Sequence, residues 1–384
     1  MSEAPAQRAD LHVAIDCLVV AAKPSGVERA VTGLLEGLAD LRPPGVRFSL
    51  LVAEGARERL PLGPGMSVLS APTWAQGRVG RVLYEQTVAA ARVRAAGADV
   101  LHGPASVLPL GWGGPSVLTV HDAITLCHPE WCQWHNVVHY RLVMTRSARR
   151  ADGVIVQSAW TKREVVEQLG IDAERVHVCP LGVGAQFRPA DAAEVEHVRE
   201  RHGLPERYLL CVGNVEPRKN LEAVMAAFEA IAADVSHALV IAGKRGWKCD
   251  AICRAMQSSP EAARIRWLDW VAEGELAALY TGADLLVQFS LHEGFGLTPL
   301  EAMACGTPAV ISDAGALPEV AGEAARVVPL ASGATGLAEE LRRLLADEDA
   351  RAALCGVGLA HAAQYTWERH ARGVLAVYAE VAGA

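Results

Sequence analysis

The chain has 384 residues, which is long enough for two or three domains. Its residues are 51% apolar and 21% charged, a composition that excludes a disordered chain and a fibrous protein. The net charge of −8 is unevenly distributed: residues 1–180 carry 18 basic and 17 acidic residues (+1), and the remainder carries 18 and 27 (−9). Neither half is basic, so we expect no nucleic-acid partner. The difference between the halves predicts two domains with different roles.

The first apolar run, residues 11–22, is interrupted by Asp16 and lacks the charged leader and the cleavage site of a signal peptide. No other apolar run approaches the roughly 18 residues of a membrane span. The nine cysteines are scattered through apolar runs, as expected of buried free thiols in a reducing compartment. We therefore expect a cytoplasmic protein, with peripheral contact at the inner face of a membrane as the alternative that a lipid acceptor would favour.

Short apolar runs alternate along the chain with longer stretches of helical periodicity. The predicted strands are residues 13–20, 117–120, 154–156, 208–212, 239–242 and 284–289, and the clearest predicted helices are residues 29–41 and 220–233. This alternation predicts βα units, parallel sheets and an α/β fold. Glycines and prolines interrupt the periodicity between residues 181 and 205, where we expect the interdomain linker.

The segment Glu293-Gly-Phe-Gly-Leu-Thr-Pro-Leu-Glu301 joins the predicted strand 284–289 to a predicted helix over residues 300–305. A strand, a glycine loop and a helix start suit an anionic ligand, because glycine allows close approach of the backbone and the free amides of the first helical turn favour phosphate. Glu293 lies at the carboxyl end of a strand, where open α/β sheets bind ligands. We therefore expect Glu293 to contact a ligand.

Glu301 has two interpretations at this stage. With Thr298 as N-cap and Pro299 as the first helical residue, Glu301 completes a capping box; alternatively, it binds a ligand. Eight helical positions span about 12 Å, whereas the paired carboxylates of glycosidases lie about 5 to 9.5 Å apart. The two glutamates are therefore expected to hold different parts of one extended ligand.

Further segments resemble one known family. They are Gly213-Asn-Val-Glu-Pro-Arg-Lys-Asn220, Ala242-Gly-Lys-Arg-Gly-Trp247, Leu276-Ala-Ala-Leu-Tyr280, Gly282-Ala-Asp284, Glu301-Ala-Met-Ala-Cys-Gly-Thr-Pro308 and Leu317-Pro-Glu-Val320. With the Glu-x7-Glu segment, they resemble the phosphate loop and donor-binding half of a family 4 retaining glycosyltransferase of the GT-B class. Ser25-Gly-Val27, Thr119-Val-His-Asp-Ala123 and Pro129-Glu130 match landmarks of the acceptor domain more loosely. The resemblance spans nearly the whole chain.

The resemblance implies a GT-B fold, with two facing Rossmann-like domains, parallel sheets and a cleft between them. Residues 1–185 would form the acceptor-binding domain and residues 186–365 the nucleotide-sugar donor domain. The C-terminal helix, about residues 366–384, would pack back on the first domain.

The resemblance also implies roles for individual residues. The catalytic group would be His121, Arg218, Lys219 and Glu293. The donor-binding group would be Gly26, Asn214, Trp270, Val271, Gly294, Phe295, Gly296, Leu297 and Glu301. Glu301 would accept hydrogen bonds from the ribose diol and Glu293 would bind the transferred sugar, while Arg218 and Lys219 would neutralise the departing diphosphate without a metal.

The remaining implied roles concern the backbone and one histidine. The amides of residues 294–297 would hold the sugar and the diphosphate, and the backbone near Trp270 and Val271 would contact the base. Gly26 would let its loop approach the phosphates, and His121 would lie beside the anomeric carbon.

Asn214 departs from the family pattern, because many relatives have arginine at that position. Arg218, adjacent to Lys219, is expected to supply the missing charge. The alternative for these two cations is a solvated helix start, which the helix dipole disfavours.

Three other clusters have competing interpretations. Cys127, His128, Cys132, His135 and His139 are close enough in sequence for a zinc site, but we favour an aromatic loop beside the acceptor cleft. Asp347-Glu-Asp349 matches the Asp-x-Asp metal motif of the other major glycosyltransferase class, but no predicted strand precedes it, and we interpret it as a helix cap. The third cluster, Arg141, Arg146, Arg149 and Arg150, is either a solvated helix face or a patch that meets lipid phosphate at an anionic membrane.

The predicted reaction is retaining transfer of a hexose from a nucleoside diphosphate sugar to an acceptor hydroxyl in polysaccharide or glycoconjugate synthesis. GDP-mannose is the leading donor, because the Pro-Arg-Lys-Asn loop resembles a mannosyltransferase subgroup. The acceptor would be a sugar, a lipid-linked molecule or another small molecule, and no cofactor or metal is expected. The alternatives are a retaining glycoside phosphorylase and a noncatalytic binding or scaffold subunit.

Overall fold

The structure is a computed structural model that describes residues 10–20 and 26–383. The described residues form two compact units. Unit 1 contains the residues up to Cys127, His135–Gly182 and the residues from Thr366 onward. Unit 2 contains Val183–Tyr365 together with seven residues from the first half of the chain, His128–Trp134.

Each unit is built on one parallel sheet. The strands are β1 (Leu11–Asp16), β2 (Val46–Ala53), β3 (Met66–Ala71), β4 (Val100–Gly103), β5 (Ser116–Thr119), β6 (Gly153–Val156), β7 (Val176–Val178), β8 (Tyr208–Val212), β9 (Ala238–Ala242), β10 (Ile265–Leu268), β11 (Leu285–Gln288), β12 (Ala309–Ser312) and β13 (Ala325–Val328). The strand order is β3-β2-β1-β4-β5-β6-β7 in unit 1 and β10-β9-β8-β11-β12-β13 in unit 2. The predicted α/β fold with two Rossmann-like sheets is confirmed.

Helices connect the strands and cover the sheets. They are α1 (Gly26–Leu41), α2 (Arg78–Tyr84), α3 (Ala90–Ala95), α4 (Ile124–Cys127), α5 (Trp134–Arg150), α6 (Ala159–Leu169), α7 (Ala192–His202), α8 (Leu221–Ile231), α9 (Asp250–Ser258), α10 (Glu273–Thr281), α11 (Leu297–Ala304), α12 (Leu317–Ala321), α13 (Gly333–Ala346), α14 (Glu348–Ala362) and α15 (Trp367–Val381). A π-helical turn, Glu85–Ala89, joins α2 to α3.

The core of unit 1 joins α1 and the C-terminal helix α15 to one sheet face. Apolar residues of β1 and β2 pack with Leu34 and Leu38 of α1 and with Val374 and Tyr378 of α15. A side chain at Gly33 or Gly37 of α1 would overlap Trp367. Glycine at these two positions therefore lets the two helices approach closely.

The predicted linker over residues 181–205 is not irregular throughout, because α7 occupies its centre. The change from unit 1 to unit 2 falls at its start, between Gly182 and Val183. Asp191 caps α7 and forms a capping box with Glu194, and Gly203 ends it in the left-handed conformation. Val198 is the only buried residue of α7. The helix has almost no apolar face, so hydrophobic periodicity could not reveal it.

The cysteines and the apolarity of the helices can be compared with what the sequence predicted. All nine cysteines are free thiols, seven of them buried. Within residues 10–20 and 26–383, no helix combines the length and apolarity that crossing a bilayer requires.

Candidate active site

The two loops of greatest interest in unit 2 follow β8 and β11. These strands are neighbours in the sheet, and the strand order reverses between them. Open α/β sheets bind ligands in the crevice beyond the carboxyl ends of the strands at such a reversal. The loop after β8 carries Arg218 and Lys219, and the loop after β11 carries Glu293.

Glu293 forms ion pairs with both cations. Arg218 Nη1 lies 2.5 Å from Glu293 Oε2, and Lys219 Nζ lies 2.8 Å from Glu293 Oε1. Gln288 Nε2 and Ser290 Oγ also donate to Glu293 Oε1, at 3.0 and 2.8 Å. The structure thus places three of the predicted catalytic residues in one hydrogen-bonded cluster, which we call the Glu293 cluster.

The Glu293 carboxyl is buried, and burial alone would raise its pKa. Arg218, Lys219 and the hydrogen bonds from Lys219 and Ser290 outweigh that effect and lower the pKa to about 2. The carboxylate is therefore ionised at neutral pH, and it holds the two cations at the edge of the sheet.

Glu216 is a site residue that the sequence analysis did not identify. It is 2% exposed, and its Oε1 accepts hydrogen bonds from Arg218 Nε and Nη2 at 3.1 and 2.7 Å. Arg218 Nη1 also donates to the carbonyl of His292 at 3.0 Å. These contacts fix the guanidinium on several sides. The signal was present in the sequence, since Glu216 lies two residues before Arg218 in the phosphate loop.

Lys219 is positioned by the backbone of its own loop. Gly213 has a φ of +136°, and a Cβ there would lie 2.9 Å from Lys219 Cε. The loop continues through a 3-10 turn, Pro217–Lys219, to Asn220, which precedes α8 in the left-handed conformation. The tight turn and the missing side chain at Gly213 direct Lys219 back across the end of β8.

The predicted capping box at the start of α11 is wrong. The helix begins at Leu297, its N-cap is Gly296 with a φ of +118°, and no side chain caps it. Thr298 and Pro299 therefore lie inside the first turn. Gly296 can adopt this conformation because it lacks a side chain, and so the helix starts earlier than the threonine and proline suggested.

Glu301 consequently has no capping role. Its carboxyl group is 2% exposed and accepts a hydrogen bond from Tyr280 Oη at 2.9 Å. Tyr280 belongs to α10 and ends the segment Leu276-Ala-Ala-Leu-Tyr280, which contributes to the family resemblance. Of the two interpretations of Glu301, ligand binding is the one that remains.

The loop between β11 and α11 contains the other predicted donor-binding residues. Gly294, Phe295 and Gly296 are buried there, and Phe295 contacts the ring of Tyr365 edge-on at 6.0 Å. Gly315 supports the loop from behind, because a Cβ at that position would lie 2.8 Å from the Glu293 amide nitrogen. The Ala316 amide donates to the Glu293 carbonyl at 2.9 Å.

Three further predicted donor-binding residues lie on neighbouring loops. Asn214 is exposed in the phosphate loop that follows β8. Trp270 and Val271 follow β10, with Trp270 exposed and Val271 buried. Each therefore lies beyond the carboxyl end of a strand of the unit 2 sheet.

His121 belongs to unit 1, where it follows β5. Its Nε2 lies 2.8 Å from the carbonyl oxygen of Pro104. A carbonyl only accepts hydrogen bonds, so Nε2 carries the proton and Nδ1 is left with a lone pair. Burial lowers the pKa of His121, although the hydrogen bond to Pro104 and the charge of Asp122 oppose this. The imidazole is therefore neutral at pH 7.

Gly26, the remaining predicted site residue, is the exposed first residue of α1 in unit 1. Ser25, which precedes Gly26 in the matched segment Ser25-Gly-Val27, lies outside the described residues.

The structure also describes the cysteine and histidine cluster at residues 127–139 and the acidic segment at residues 347–349. Within the part of the chain that the structure describes, no group of three His, Cys, Asp or Glu side chains is arranged to hold a metal ion. His128 instead stacks on Trp131. Asp347 caps α14 by accepting from the Ala350 amide at 2.9 Å, which confirms the predicted helix cap.

Two family models match the chain, one for each half. The model described as "Glycosyltransferase Family 4" matches residues 24–187, and the model described as "Glycosyl transferases group 1" matches residues 194–355. The first match includes His121 and the second includes every residue of the Glu293 cluster.

Known relatives agree with these models. The chain is 29% identical to "O-antigen chain mannosyltransferase B" of Escherichia coli over 70% of its own length and 71% of the relative's. It is 30% identical to "Serotype-specific mannosyltransferase WbdA" of the same species over 66% of its length, but it spans only 32% of that protein. Sucrose-phosphate synthase from Thermosynechococcus elongatus has the same fold, with a TM-score of 0.77, 20% identity and coverage of 96% and 98% of the two chains.

Proposed function

Because the chain belongs to the family 4 glycosyltransferases of the GT-B class, we propose that it transfers a hexose from a nucleoside diphosphate sugar to an acceptor hydroxyl with retention of the anomeric configuration. The observation that carries this proposal is the Glu293 cluster, a buried carboxylate paired with two cations at the strand-order reversal of one sheet. The names of the relatives favour mannose as the sugar, and GDP-mannose is the leading donor.

The cations of the cluster suit a diphosphate. Arg218 is held by Glu216, Glu293 and the His292 carbonyl, so its charge is fixed before any ligand arrives. Fixed charges that face a developing negative charge in a water-poor site are usually the largest single contribution to catalysis. Arg218 and Lys219 would stabilise the diphosphate as the bond to the sugar breaks, in the role that a metal ion has in other transferases.

The two glutamates suit the rest of the donor. An ionised carboxylate only accepts hydrogen bonds, and the hydroxyls of a sugar can donate them. Glu293, whose pKa is about 2, would accept from hydroxyls of the transferred sugar, and Glu301 would accept from the ribose diol. The free amides at the start of α11 would bind a phosphate between these two positions.

His121 would hydrogen-bond the donor sugar near its anomeric carbon through the lone pair of Nδ1. As a neutral group it would not repel positive charge that develops on the sugar ring. The acceptor hydroxyl would lose its proton to the departing phosphate oxygen, which makes a separate carboxylate base unnecessary in a front-face reaction.

An anionic membrane surface is the partner that we propose for unit 1. Four exposed apolar side chains lie on α2 and on the part of α5 that belongs to unit 1, namely Val79, Leu83, Val138 and Leu142, and Val79 is 82% exposed. Val79 and Leu83 also line an open groove of about 660 Å³, together with Val82, Gln86, His135 and His139. We call this surface the α2–α5 face.

The charge of the α2–α5 face favours anionic lipid. Helix α5 contains no acidic residue, and Glu85, the only acidic residue between positions 78 and 96, is buried. All four arginines of the predicted patch, Arg141, Arg146, Arg149 and Arg150, are exposed. Three of them also donate to backbone carbonyls: Arg146 to Leu142 within α5, Arg149 to Leu169, and Arg150 to Leu110 and Trp112. Exposed cations beside exposed apolar side chains are typical of interfacial helices.

The first test of the proposed reaction is a thermal-shift panel with GDP, UDP, ADP and TDP. A nucleotide that binds only the folded protein raises Tm, and we expect GDP to give the largest shift. The protein should then hydrolyse GDP-mannose slowly and release mannose that is initially the α-anomer, as NMR would show. Glu293→Gln and Lys219→Ala should each reduce this hydrolysis by about 100-fold or more, while Glu339→Gln, an exposed substitution on α13, should leave it unchanged.

A phosphorolysis assay and the nucleotide panel together decide between the alternatives. Formation of a sugar 1-phosphate from a glycoside and inorganic phosphate, without any nucleotide, would identify a phosphorylase. A protein that binds none of the nucleotides and is inert to every nucleotide sugar would instead be a scaffold, and the proposed transfer would be wrong.

A further inference from the structure

Residues 128–134 are an unexpected component of unit 2. They lead into α5, whose first residue is Trp134, and belong in sequence to the first half of the chain, yet their contacts place them with the residues of the second half. This segment, His-Pro-Glu-Trp-Cys-Gln-Trp, contains the Pro129-Glu130 landmark, for which the sequence suggested no role. We call it the 128–134 segment.

The segment contacts the loop that carries Glu293 through aromatic rings. The His128 ring stacks on Trp131 with centroids 4.1 Å apart and an interplanar angle of 15°. The same His128 ring meets the edge of the His292 ring, with centroids 5.5 Å apart. His292 is buried and immediately precedes Glu293. The stacked pair therefore packs directly against the residue that leads into the Glu293 cluster.

The segment is also anchored to the loop that follows β9. Trp247 Nε1 donates to the carbonyl of Trp131 at 2.7 Å, and Lys248 Nζ donates to the carbonyl of Glu130 at 2.5 Å. The anchoring loop pairs in turn with the phosphate loop, because the Val215 amide donates to the Lys244 carbonyl at 2.9 Å. The 128–134 segment therefore contacts the loops that follow β9 and β11, and these two loops flank the phosphate loop that carries Arg218.

His292 is the point at which these contacts reach the catalytic cations. Its carbonyl accepts from Arg218 Nη1 at 3.0 Å, and the amide of Leu291 donates to the Arg218 carbonyl at 2.8 Å. A displacement of the backbone at 291–292 would therefore move Arg218 relative to Glu293. The His128 ring lies against the side chain of His292, the residue that joins Leu291 to Glu293.

We propose that the 128–134 segment positions the donor site, with the stacked His128 ring holding His292 so that Glu293 and Arg218 keep their mutual geometry. The expected effect on kcat rests on the proposed function, whereas the expected effect on the position of the Glu293 loop does not. His128 is a positioning residue, because it acts through His292.

The proposal predicts separate effects on turnover and on nucleotide binding. GDP would be held by the amides of α11, by Lys219 and by Glu301 as well as by Arg218, so a displaced Arg218 would weaken only one of several contacts to it. The reaction depends more strongly on the placement of Glu293 and Arg218, because these charges face the charge that develops as the bond to the sugar breaks. Loss of the His128 ring should therefore lower kcat much more than it weakens GDP binding or raises KM for the donor.

The test compares His128→Ala with His128→Phe, which keeps a flat ring. His197→Ala, an exposed substitution on α7, is the matched control. Hydrogen exchange of the ligand-free protein would be followed over residues 289–296, including the bonded amide of Leu291. GDP-mannose hydrolysis would supply kcat and KM, and thermal shift would supply GDP binding.

We expect His128→Ala to speed exchange over residues 289–296 and to lower kcat about tenfold, while Tm in the absence of nucleotide and the GDP shift stay close to those of the unmodified protein. His128→Phe should restore slow exchange and most of kcat. Exchange and kcat unchanged in His128→Ala, or a Phe variant as impaired as the Ala variant, would overturn the proposal. If the unmodified protein hydrolyses no nucleotide sugar, the proposed function fails, and the exchange comparison still decides whether the segment positions the loop.

Discussion

Glu293 illustrates how a single residue can be costly for folding and useful for chemistry. A buried ion pair loses much of its attraction to desolvation, and apolar residues of similar size often stabilise a protein as well or better. Here two buried carboxylates, Glu216 and Glu293, are paired with two largely buried cations, an arrangement that apolar residues could replace without loss of stability. Preorganisation of charge for an anionic ligand does give a reason for the arrangement.

Glu85 is a second buried acid with an unusual environment, and the sequence offered no reason to single it out. It begins the π-helical turn between α2 and α3, and its Oε2 has no hydrogen-bond partner. Burial is the main cause of its raised pKa, about 8, and the charge of Asp16 raises it further, while Arg81 lowers it. Burial also raises the pKa of Asp16, to about 6.

These pKa values predict an effect of Glu85→Gln on stability that depends on pH. In the folded protein the raised pKa keeps the Glu85 proton bound up to about pH 8, whereas the unfolded chain releases it near 4.5, the ordinary pKa of a glutamate. The stability of the unmodified protein should therefore fall as pH rises through this window. Glutamine cannot ionise, so the variant should match the unmodified protein near pH 5 and exceed it at pH 9, by up to a few kcal/mol.

Urea unfolding at pH 5, 7 and 9 would measure this difference. Glu339→Gln, at an exposed position, is the control and should show a small difference that does not change across the range. A Glu85→Gln variant whose advantage fails to grow with pH would contradict the raised pKa.

At the scale of elements, the sequence predicted structure well wherever burial imposes a pattern. The buried strands β8, β9 and β11 lie within or close to the predicted apolar runs, and α1 and α8 have the apolar faces that their periodicity indicated. The failures occurred where no such pattern exists. Helix α7 is mostly exposed, and the start of α11 depends on the conformation of Gly296, which threonine and proline nearby did not reveal.

The loop around Glu293 provides a prediction about glycine. Gly315 has a φ of +61°, and a Cβ there would lie 2.8 Å from the Glu293 amide nitrogen. Gly315→Ala should therefore displace this loop and destabilise the protein by about 1–3 kcal/mol. It should also reduce donor hydrolysis at a temperature where the variant is still folded, which loss of stability alone would not do.

The control for this prediction is Gly356→Ala. Gly356 lies within α14 with open space around its Cβ position, so alanine should be neutral or stabilise the helix by up to about 1 kcal/mol. Thermal unfolding and GDP-mannose hydrolysis would be measured for both variants. Full activity in Gly315→Ala would show that the Glu293 loop tolerates displacement.

At the scale of the whole molecule, net charge is a poor guide to the ligand. The second half of the sequence carries −9, yet it contains the residues proposed to bind a diphosphate. Local arrangement resolves this, because Arg218 and Lys219 lie together at the sheet edge and Glu293 fixes them there. The family resemblance suggested these three residues separately. Their direct contacts, and the membership of residues 128–134 in unit 2, depend on tertiary packing that a sequence pattern does not encode.

The proposed membrane contact is a property of the molecule that can be tested without knowledge of the reaction. Exposed apolar side chains beside cations should bind anionic vesicles through both burial of apolar area and attraction to the lipid charge. We expect the protein to sediment with vesicles that contain phosphatidylglycerol, to bind pure phosphatidylcholine more weakly, and to be released in part by high salt.

Two substitutions separate this surface from nonspecific adhesion. Leu83→Ser should weaken vesicle binding severalfold, because Leu83 is 55% exposed on the α2–α5 face. Val357→Ser removes an apolar side chain of similar exposure, 49%, from α14 of unit 2 and should leave binding unchanged. Equal effects of the two substitutions would mean that the α2–α5 face is not the contact. A concentration-dependent dimer that Leu83→Ser abolishes would assign the face to a second copy of the chain instead of a membrane, since burial of the same side chains would then stabilise a protein interface.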